Sequence, residues 1–425
     1  MPEHPLISLV DDVAAGNRRA VTSVCSANPL VIEATLLEGL ERGGTVLIEA
    51  TCNQVNQDGG YTGMTPASFR SFVEAIAGKT GFPLGRLLLG GDHLGPNPWK
   101  MLTAKAAMAR AGEMIAAYAR AGFSKLHLDA SMACADDGSP PLAEEIIAAR
   151  AARLASVAES VAGEGNLPAP VYVIGTEVPI PGGALEALDT IEVTRPEDAV
   201  RTVDIHRSAF EAAGIAHAFS RCIGLVVQPG VEFGNENVVL YDPGKAAALT
   251  KALEKLPGFV FEAHSTDYQP CEALGALVRD GFGILKVGPG LTFALRETFY
   301  GLDAIAAELG LLAPEGRLRA VMEELMLAKP ADWETHYHGT PQQQRVQRHF
   351  SYSDRIRYYW PDPRAKAAVG RLLSILEGRK IPETLISQYL GAIYPGVVTG
   401  CVEPGARSLL LAGIQHALRP YSRAG

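Results

Sequence analysis

The stretch "LLLGGDHLGPNPW", residues 87–99, joins an apolar run to an acid and an imidazole and then to a loop. Three leucines and two glycines lead directly into Asp92 and His93, and the chain leaves through a glycine and two prolines. A short apolar run bounded by turn residues is typical of a parallel strand that is buried on both faces. The polar pair at its end predicts a functional site at that edge of the sheet.

Similar apolar runs follow one another along the chain, separated by Ala-rich stretches with helical patterns. Strand and helix repeated eight times predict an α/β fold, the (β/α)₈ TIM barrel. A doubly wound open sheet is the alternative. That fold usually has fewer strands and a Gly-rich phosphate loop after the first strand, which "SVCSANP" does not resemble. The eight runs are Ala20–Ser26, Thr45–Thr51, Arg86–His93, Lys125–Ser131, Val171–Glu177, Ile223–Gly230, Phe259–Ser265 and Gly283–Pro289.

The composition changes near residue 314, where polar and aromatic helical stretches replace the alternation of strands and helices. We therefore predict two parts of the chain. Residues 1–313 form the barrel, and residues 314–425 form a small helical C-terminal subdomain that packs on it.

Composition and charge narrow the class of protein. The chain has 425 residues, 47% of them hydrophobic, and a net charge of −9, which argues against binding to nucleic acid. No apolar stretch is long enough to span a bilayer, and the N-terminus lacks the basic start and apolar core of a secretory signal. None of the six cysteines forms a CxxC pair, so we expect reduced thiols and a cytoplasmic location.

Polar residues stand at the ends of the predicted strands, where a TIM barrel builds its active site. The candidate metal ligands are His93, Glu177, His264 and Gln228. They suit Zn²⁺ best, with Mn²⁺, Ni²⁺ or Co²⁺ as alternatives. Asp92 is the candidate for proton transfer, with Glu177 and Glu49 as further candidates, although either glutamate could instead satisfy loop amides. His127 alternates away from its leucine neighbours, and we interpret it as a satisfied histidine of the barrel.

The remaining polar residues are candidates for substrate and phosphate binding. The Gly288–Pro289–Gly290 turn follows the eighth run, where TIM barrels commonly bind phosphate. In "FSYSDRIRYYW", Ser353 and Arg355 are candidates to grip a phosphate over the barrel mouth, since arginine binds phosphate through a bidentate fork. The alternative for that segment is an amphipathic stretch that docks the C-terminal helices. The other substrate candidates are Asn53, Asp129, Ser131, Ser265, Asp267 and Lys286.

Seven segments, in this order along the chain, resemble one protein family. They are "GGDHLGPNPW", "HLDAS", "IGTEVPIPGG", "QPGVEFG", "FEAHSTDYQ", "LKVGPGLTFALRE" and "YSDRIRYYW". The sequence is similar to the tagatose-1,6-bisphosphate aldolase Z-subunit family over nearly its whole length. The resemblance implies a barrel like that of the class II, metal-dependent aldolases, a sugar-phosphate substrate and a catalytic Y subunit as partner.

The resemblance also implies roles for particular residues. Asp92 corresponds to the acid/base at the C4 hydroxyl of the sugar, and His93 and His264 correspond to metal ligands. The aldolases place another histidine ligand at the end of the sixth strand, where this chain has Gln228. Because a neutral amide is a weaker ligand for Zn²⁺ than imidazole, Glu177 is left to complete the site.

Two functions of different class follow from the resemblance. The first is a metal-dependent 4-epimerase that interconverts tagatose 6-phosphate and fructose 6-phosphate by retro-aldol chemistry. The alternative is a non-catalytic subunit that stabilises tagatose-1,6-bisphosphate aldolase. Some members carry the name tagatose-6-phosphate kinase, but this sequence contains no GxxxxGK[ST] nucleotide loop. A homo-oligomer is compatible with the sequence.

Overall fold

In the computed structural model, which describes residues 4–17, 19–138, 141–176 and 191–425, eight parallel strands form a closed barrel. The barrel strands are β1 (Val21–Cys25), β2 (Val46–Thr51), β3 (Leu87–Leu94), β4 (Lys125–Leu128), β5 (Val171–Ile174), β6 (Cys222–Val227), β9 (Val260–Ala263) and β10 (Phe282–Val287). The short strands β7 (Glu232–Phe233) and β8 (Val238–Val239) pair with each other in an antiparallel hairpin. The predicted (β/α)₈ fold is confirmed. The open-sheet alternative is wrong, because β1 pairs with β10 and closes the sheet.

Helices surround the barrel and continue beyond it. They are α1 (Pro5–Ala14), α2 (Pro29–Arg42), α3 (Pro66–Thr80), α4 (Ala104–Arg120), α5 (Glu144–Glu164), α6 (Pro196–Ala212), α7 (Ala216–Phe219), α8 (Pro243–Ala252), α9 (Cys271–Arg279), α10 (Pro289–Glu308), α11 (Leu318–Ala328), α12 (Pro341–Phe350), α13 (Pro363–Leu376), α14 (Glu383–Tyr389), α15 (Tyr394–Val398) and α16 (Ala406–Ala424). Several begin with proline after a capping Asn, Thr or Asp, a pairing that fixes the first turn and satisfies a free amide. Within the described residues, no helix is both long and apolar enough to cross a membrane.

Helix α1 covers the N-terminal end of the barrel. Its buried residues Leu6, Leu9 and Val10 pack with apolar side chains of β5, β6, β9 and β10. Val171 and Val260, the first residues of β5 and β9, belong to this cluster, which places α1 at the end where the strands begin.

The helices after residue 314 do not all stand apart from the barrel. Helix α16 packs against α2, α9 and α10, and α13 and α14 also pack against α10. The division of the chain at residues 313 and 314 stays a prediction, and the last helix lies in the outer layer of the barrel.

Residues 351–360, which we call the mouth segment, connect α12 to α13 across the C-terminal end of the barrel. Asp354 adopts the left-handed conformation with a φ of 44° and is buried. Its carboxylate accepts hydrogen bonds from Arg296 Nε at 2.8 Å and from Thr292 Oγ1 at 2.7 Å, both on α10. These contacts fix the mouth segment to the helix that follows the last barrel strand.

His206, on α6, makes stability depend on pH. The ring is fully buried, and burial lowers the pKa of His206 from 6.5 to about 4. Between these values the unfolded chain binds a proton that the folded chain does not. The free energy of unfolding should therefore fall with decreasing pH, by about 1.4 kcal/mol per pH unit from this residue. Urea unfolding at pH 7 and pH 5 should show a shallower pH dependence for His206→Gln, and an unchanged dependence would contradict this assignment.

Candidate active site

Asp92 and His93 lie at the C-terminal end of β3, where the strand departs from regular pairing. The register with β4 shifts between Gly91 and Leu94, and His93 adopts a left-handed φ of 49°. Such irregularities turn neighbouring side chains in new directions and are common at barrel rims. Here both side chains line the cavity at the barrel mouth instead of alternating between the two faces.

Three polar groups contact the carboxylate of Asp92. Lys286 Nζ lies 2.7 Å and His127 Nδ1 lies 3.0 Å from its Oδ1, and the Cys25 thiol donates to Oδ2 at 3.5 Å. Burial favours the neutral acid, but His93 in its protonated form and Lys286 outweigh it and hold the pKa of Asp92 well below its ordinary value. Asp92 is therefore an ionised carboxylate that can accept a proton.

Three histidine rings meet beside this carboxylate. The rings of His93, His127 and His264 have centroids 5.0–5.2 Å apart. One ligand atom from each ring and one oxygen of Asp92 all lie within 4.8 Å of one another. These four residues form what we call the His/Asp cluster, and its donor types fit a divalent ion such as Zn²⁺.

Each ring has one nitrogen within hydrogen-bond distance of a carboxylate, so the opposite nitrogen is the one that could bind a ligand. Asp129 Oδ2 lies 2.8 Å from His93 Nδ1, and Glu262 Oε1 lies 2.9 Å from His264 Nε2. Asp92 and the backbone amide of His93 both contact Nδ1 of His127, at 3.0 and 3.2 Å, and the Nε2 of that ring is buried without a hydrogen-bond partner among the described residues. Carboxylates that orient histidines in this way are typical of metal centres, and an orphaned imidazole nitrogen fits a missing ligand.

The cluster sits on a network of buried charges that is short of positive charge. Lys286 bridges Asp92 and Glu49, and Lys125 bridges Glu49 and Glu262, with ion-pair distances of 2.6–2.8 Å. With Asp129, four carboxylates therefore face two ammonium groups. If the imidazoles are neutral, as metal ligands must be, two negative charges remain buried. A divalent cation would neutralise them.

A cavity of about 540 Å³ opens above the cluster. Its walls come from the loops after β1, β2, β9 and β10, from the mouth segment and from α13. It brings together eight of the residues predicted from the sequence, namely Asn53, Asp92, His93, His264, Ser265, Asp267, Lys286 and Gly288.

Comparison with known proteins identifies the family. A family model described as "D-tagatose-1,6-bisphosphate aldolase subunit GatZ/KbaZ-like" matches residues 6–425. The chain belongs to this GatZ/KbaZ-like family. The family predicted from the sequence is thereby confirmed.

Two relatives of this GatZ/KbaZ-like chain are similar over almost all of its length. A protein of Agrobacterium fabrum (strain C58 / ATCC 33970) named D-tagatose 6-phosphate 4-epimerase is 53% identical over 411 residues, 96% of each chain. A crystal structure of a probable tagatose 6 phosphate kinase from Sinorhizobium meliloti 1021 is 58% identical, with a TM-score of 0.89. That comparison covers 96% of this chain and 100% of the other.

Four predicted residues of the GatZ/KbaZ-like chain are placed differently from the sequence expectation. Gln228 does not line the cavity, because its Oε1 accepts hydrogen bonds from the backbone amides of Gly230 and Val231, at 2.8 and 2.9 Å. Glu49 is fully buried between the two lysines and does not reach the cavity. Asp129 lies behind His93 and accepts a hydrogen bond from Ser131 Oγ at 2.6 Å, so both residues orient a histidine. Glu177 lies outside the described residues.

The two mouth-segment residues predicted to bind phosphate also point elsewhere. Ser353 Oγ donates to Asn235 Oδ1 at 2.9 Å, and Arg355 Nε donates to the carbonyl of Asp332. Neither residue lines the cavity, whereas Arg357 and Tyr358 do. The mouth segment thus reaches the cavity as predicted, but through different side chains.

The His/Asp cluster of this GatZ/KbaZ-like chain contains one candidate ligand, His127, that we interpreted otherwise from the sequence. Lys125 and His127 alternate along β4 and Asp129 follows it directly, so all three face the barrel interior while Leu126 and Leu128 face the helices. The alternation with leucines, from which we interpreted His127 as a satisfied histidine of the barrel, therefore places it on the same face as Lys125 and Asp129. The charged residues two positions before and after His127 were the sequence feature that could have indicated a polar site at this position.

The backbone amides of the turn before α10 already donate hydrogen bonds to a side chain of the same chain. The backbone amides of Gly288 and Gly290 donate to Asp267 Oδ1 at 3.0 and 2.7 Å. Burial raises the pKa of Asp267 to about 6, although these two amides oppose the shift. The amides that would bind a phosphate at this helix N-terminus thus already have an acceptor.

Proposed function

We propose that this chain is a metal-dependent ketohexose-6-phosphate 4-epimerase that interconverts tagatose 6-phosphate and fructose 6-phosphate. The observation that carries the proposal is the carboxylate of Asp92, ion-paired with Lys286 and set beside three histidines, two of which line the cavity. The name of the relative from Agrobacterium fabrum supports the choice of substrate.

The residues that would hold the metal are the three histidines. His93 and His127 would bind through Nε2 and His264 through Nδ1, because carboxylates occupy the opposite nitrogens. Three histidines with an open fourth position are a known catalytic arrangement for Zn²⁺, the ion we propose first. When bound, a divalent ion polarises a ketose carbonyl and stabilises negative charge on its oxygen.

The chemistry of Asp92 follows from its charge and position. Its carboxylate takes the proton of the C4 hydroxyl, the C4 oxygen becomes the carbonyl oxygen of an aldehyde, and the C3–C4 electron pair stays with C3. The aldehyde then turns its other face to C3, the C3–C4 bond forms again, and Asp92 returns the proton to the C4 oxygen. Lys286 keeps Asp92 ionised between turnovers, and Glu49 acts through Lys286 without contacting the substrate.

The experiment that tests this function follows sugar products in the absence of any other protein. Purified protein is incubated with tagatose 6-phosphate, and separately with tagatose 1,6-bisphosphate. Fructose 6-phosphate from the first substrate supports the proposal, and triose phosphates from the second would make the chain an aldolase. No product from either would contradict both.

Removal of the metal provides an independent prediction. Dialysis against a chelator should abolish epimerisation, and Zn²⁺ or another divalent ion should restore it. Metal analysis before and after dialysis is the measurement, and a mock-dialysed sample is the control. Full activity in protein shown to be metal-free would remove the metal from the proposal.

The description of the family as an aldolase subunit supports a second candidate, a stabilising partner of a catalytic subunit. Coexpression with a catalytic Y subunit, followed by size-exclusion chromatography, tests this role. A stable complex with a longer aldolase half-life, together with no turnover by this chain alone, would favour the second candidate over the first.

A further inference from the structure

Three cationic side chains line the cavity in the part of the chain that the structure describes, and they differ in their counter-ions. Lys286 forms ion pairs with Glu49 and Asp92. Lys366, on α13, is exposed to water at the rim. The guanidinium of Arg357 is only partly exposed, and no described carboxylate forms an ion pair with it.

The partners of Arg357 are neutral. Its Nη1 donates to the carbonyl oxygens of Ser353 and Asp354, and its Nη2 donates to Tyr358 Oη at 3.0 Å. The guanidinium also lies 4.5 Å from the centroid of the Tyr358 ring. These contacts fix the direction of the group without cancelling its charge. The carboxylates of Asp354 and Asp267 act on Arg357 only without direct contact. A charge withdrawn from bulk water without a directly paired counter-ion is unfavourable, so the arrangement favours an anion in the cavity.

The surroundings of Arg357 supply further hydrogen-bond donors. Tyr61, in the loop between β2 and α3, contacts the ring of Tyr358 edge-on, with centroids 4.9 Å apart, and both tyrosines line the cavity. Two phenols and a guanidinium from separate segments therefore converge on one side of the cavity. A phosphate monoester, with three acceptor oxygens and nearly two negative charges, matches such a set of donors.

The other candidate phosphate sites are already filled or directed elsewhere. Asp267 accepts the amide hydrogen bonds at the N-terminus of α10, and Arg355 donates to Asp332 outside the cavity. We infer that Arg357 binds the phosphate group of the sugar-phosphate substrate. This inference rests on the proposed function, since it names the subsite for the 6-phosphate of that substrate.

Asp354 is the positioning residue for this subsite. Its left-handed backbone turns the chain immediately before the single helical turn formed by residues 355–359. The backbone amide of Arg357 donates to the Asp354 carbonyl at 3.0 Å, and the Asp354 side chain is fixed to α10. The direction of Arg357 is thus set by the helix that follows the last barrel strand.

The subsite bears on the fate of the substrate during turnover. Breaking the C3–C4 bond of a ketohexose 6-phosphate leaves the phosphate on the C4–C6 aldehyde, which is glyceraldehyde 3-phosphate. The other fragment, once protonated, is dihydroxyacetone. Arg357 therefore holds the fragment that has to present its other face before the bond forms again. Weakening this hold should release glyceraldehyde 3-phosphate.

The test measures binding directly, so that it does not depend on turnover. Isothermal titration of the metal-loaded protein with fructose 6-phosphate, and separately with fructose, gives the preference for the phosphate. Arg357→Gln should weaken binding of fructose 6-phosphate by about 10- to 100-fold and leave binding of fructose unchanged. Arg357→Lys, which keeps the charge but loses the fork, should fall between the two and serves if the first variant does not fold.

Arg355→Gln is the matched control, because it removes the same group two residues away on the same turn. The guanidinium of Arg355 lies 4.9 Å from the centroid of the Tyr358 ring but does not line the cavity, so the variant should bind fructose 6-phosphate like the wild type. An equal loss in both variants, or an equal loss for fructose and its phosphate, would overturn the inference and indicate a structural effect. Tight, Arg357-dependent binding without any epimerisation would sustain the subsite and reject the proposed function.

Discussion

Asp92→Asn is expected to lower kcat for tagatose 6-phosphate by roughly 1,000-fold, within the range typical of a lost acid/base group. The amide has nearly the shape of the carboxylate but cannot take the proton of the C4 hydroxyl. The variant also removes one of the two carboxylates that bind Lys286. The measurement is the initial rate of fructose 6-phosphate formation with saturating substrate.

Metal content and melting temperature distinguish loss of the proton acceptor in Asp92→Asn from loss of the metal or of the fold. The three histidine nitrogens are still present in Asp92→Asn, so the protein should retain its metal and its fold. Loss of the metal would identify Asp92 as a ligand instead of the proton acceptor. Normal turnover with the metal in place would reject the proposed chemistry.

His127→Gln is expected to lower the affinity for the divalent metal by at least about 100-fold, since it removes a ligand and not merely its support. Glutamine fills most of the space of the buried ring but does not offer an imidazole nitrogen toward the cluster. Epimerisation should fall together with metal occupancy. Metal analysis after desalting, and titration with Zn²⁺ in a competing chelator, measure the change.

Gln228→Ala is the comparison variant for His127. Gln228 stands where the aldolase resemblance places a histidine ligand, yet its amide closes a turn outside the cavity. Removal of the amide should lower the melting temperature, because two backbone hydrogen bonds are lost, and should leave the affinity for the metal unchanged. The reverse outcome, with metal lost in Gln228→Ala and retained in His127→Gln, would show that β6 and not β4 supplies the ligand.

The barrel could be predicted from the sequence because each strand and helix is recognised from a short, continuous stretch of residues. Each strand is a short apolar run followed by a polar residue, and alternation with helices leaves few other arrangements. Asp92, His93 and His264 could be placed for the same reason, since the ends of parallel strands meet at one face of a barrel. A position near that face does not specify where the side chain points, however. His127 points into the His/Asp cluster, whereas the side chain of Gln228 closes a turn outside the cavity.

Pairings between distant parts of the chain could not be predicted in this way. Glu49 is a carboxylic acid near the end of a barrel strand, as a catalytic acid would be, but it forms ion pairs with Lys125 and Lys286 inside the barrel. In the mouth segment, the left-handed turn at Asp354 decides that Arg357 and not Arg355 faces the cavity. Both outcomes depend on tertiary contacts made far away in sequence, which no local pattern records.

Helix α1 has a consequence for product control, although it lies at the end of the barrel away from the cluster. Its leucines cover the end where the strands begin, and side chains fill the interior of a TIM barrel, so the cavity opens at the mouth. If the proposed epimerisation takes place in this cavity, both halves of the cleaved sugar share one exit, beneath the segment that carries Arg357. An aldolase gains from letting its halves escape, whereas an epimerase gains from confining them until they rejoin. A single exit beside Arg357 is therefore compatible with the proposed inversion, and the retention of both halves that it requires falls to the residues at the mouth.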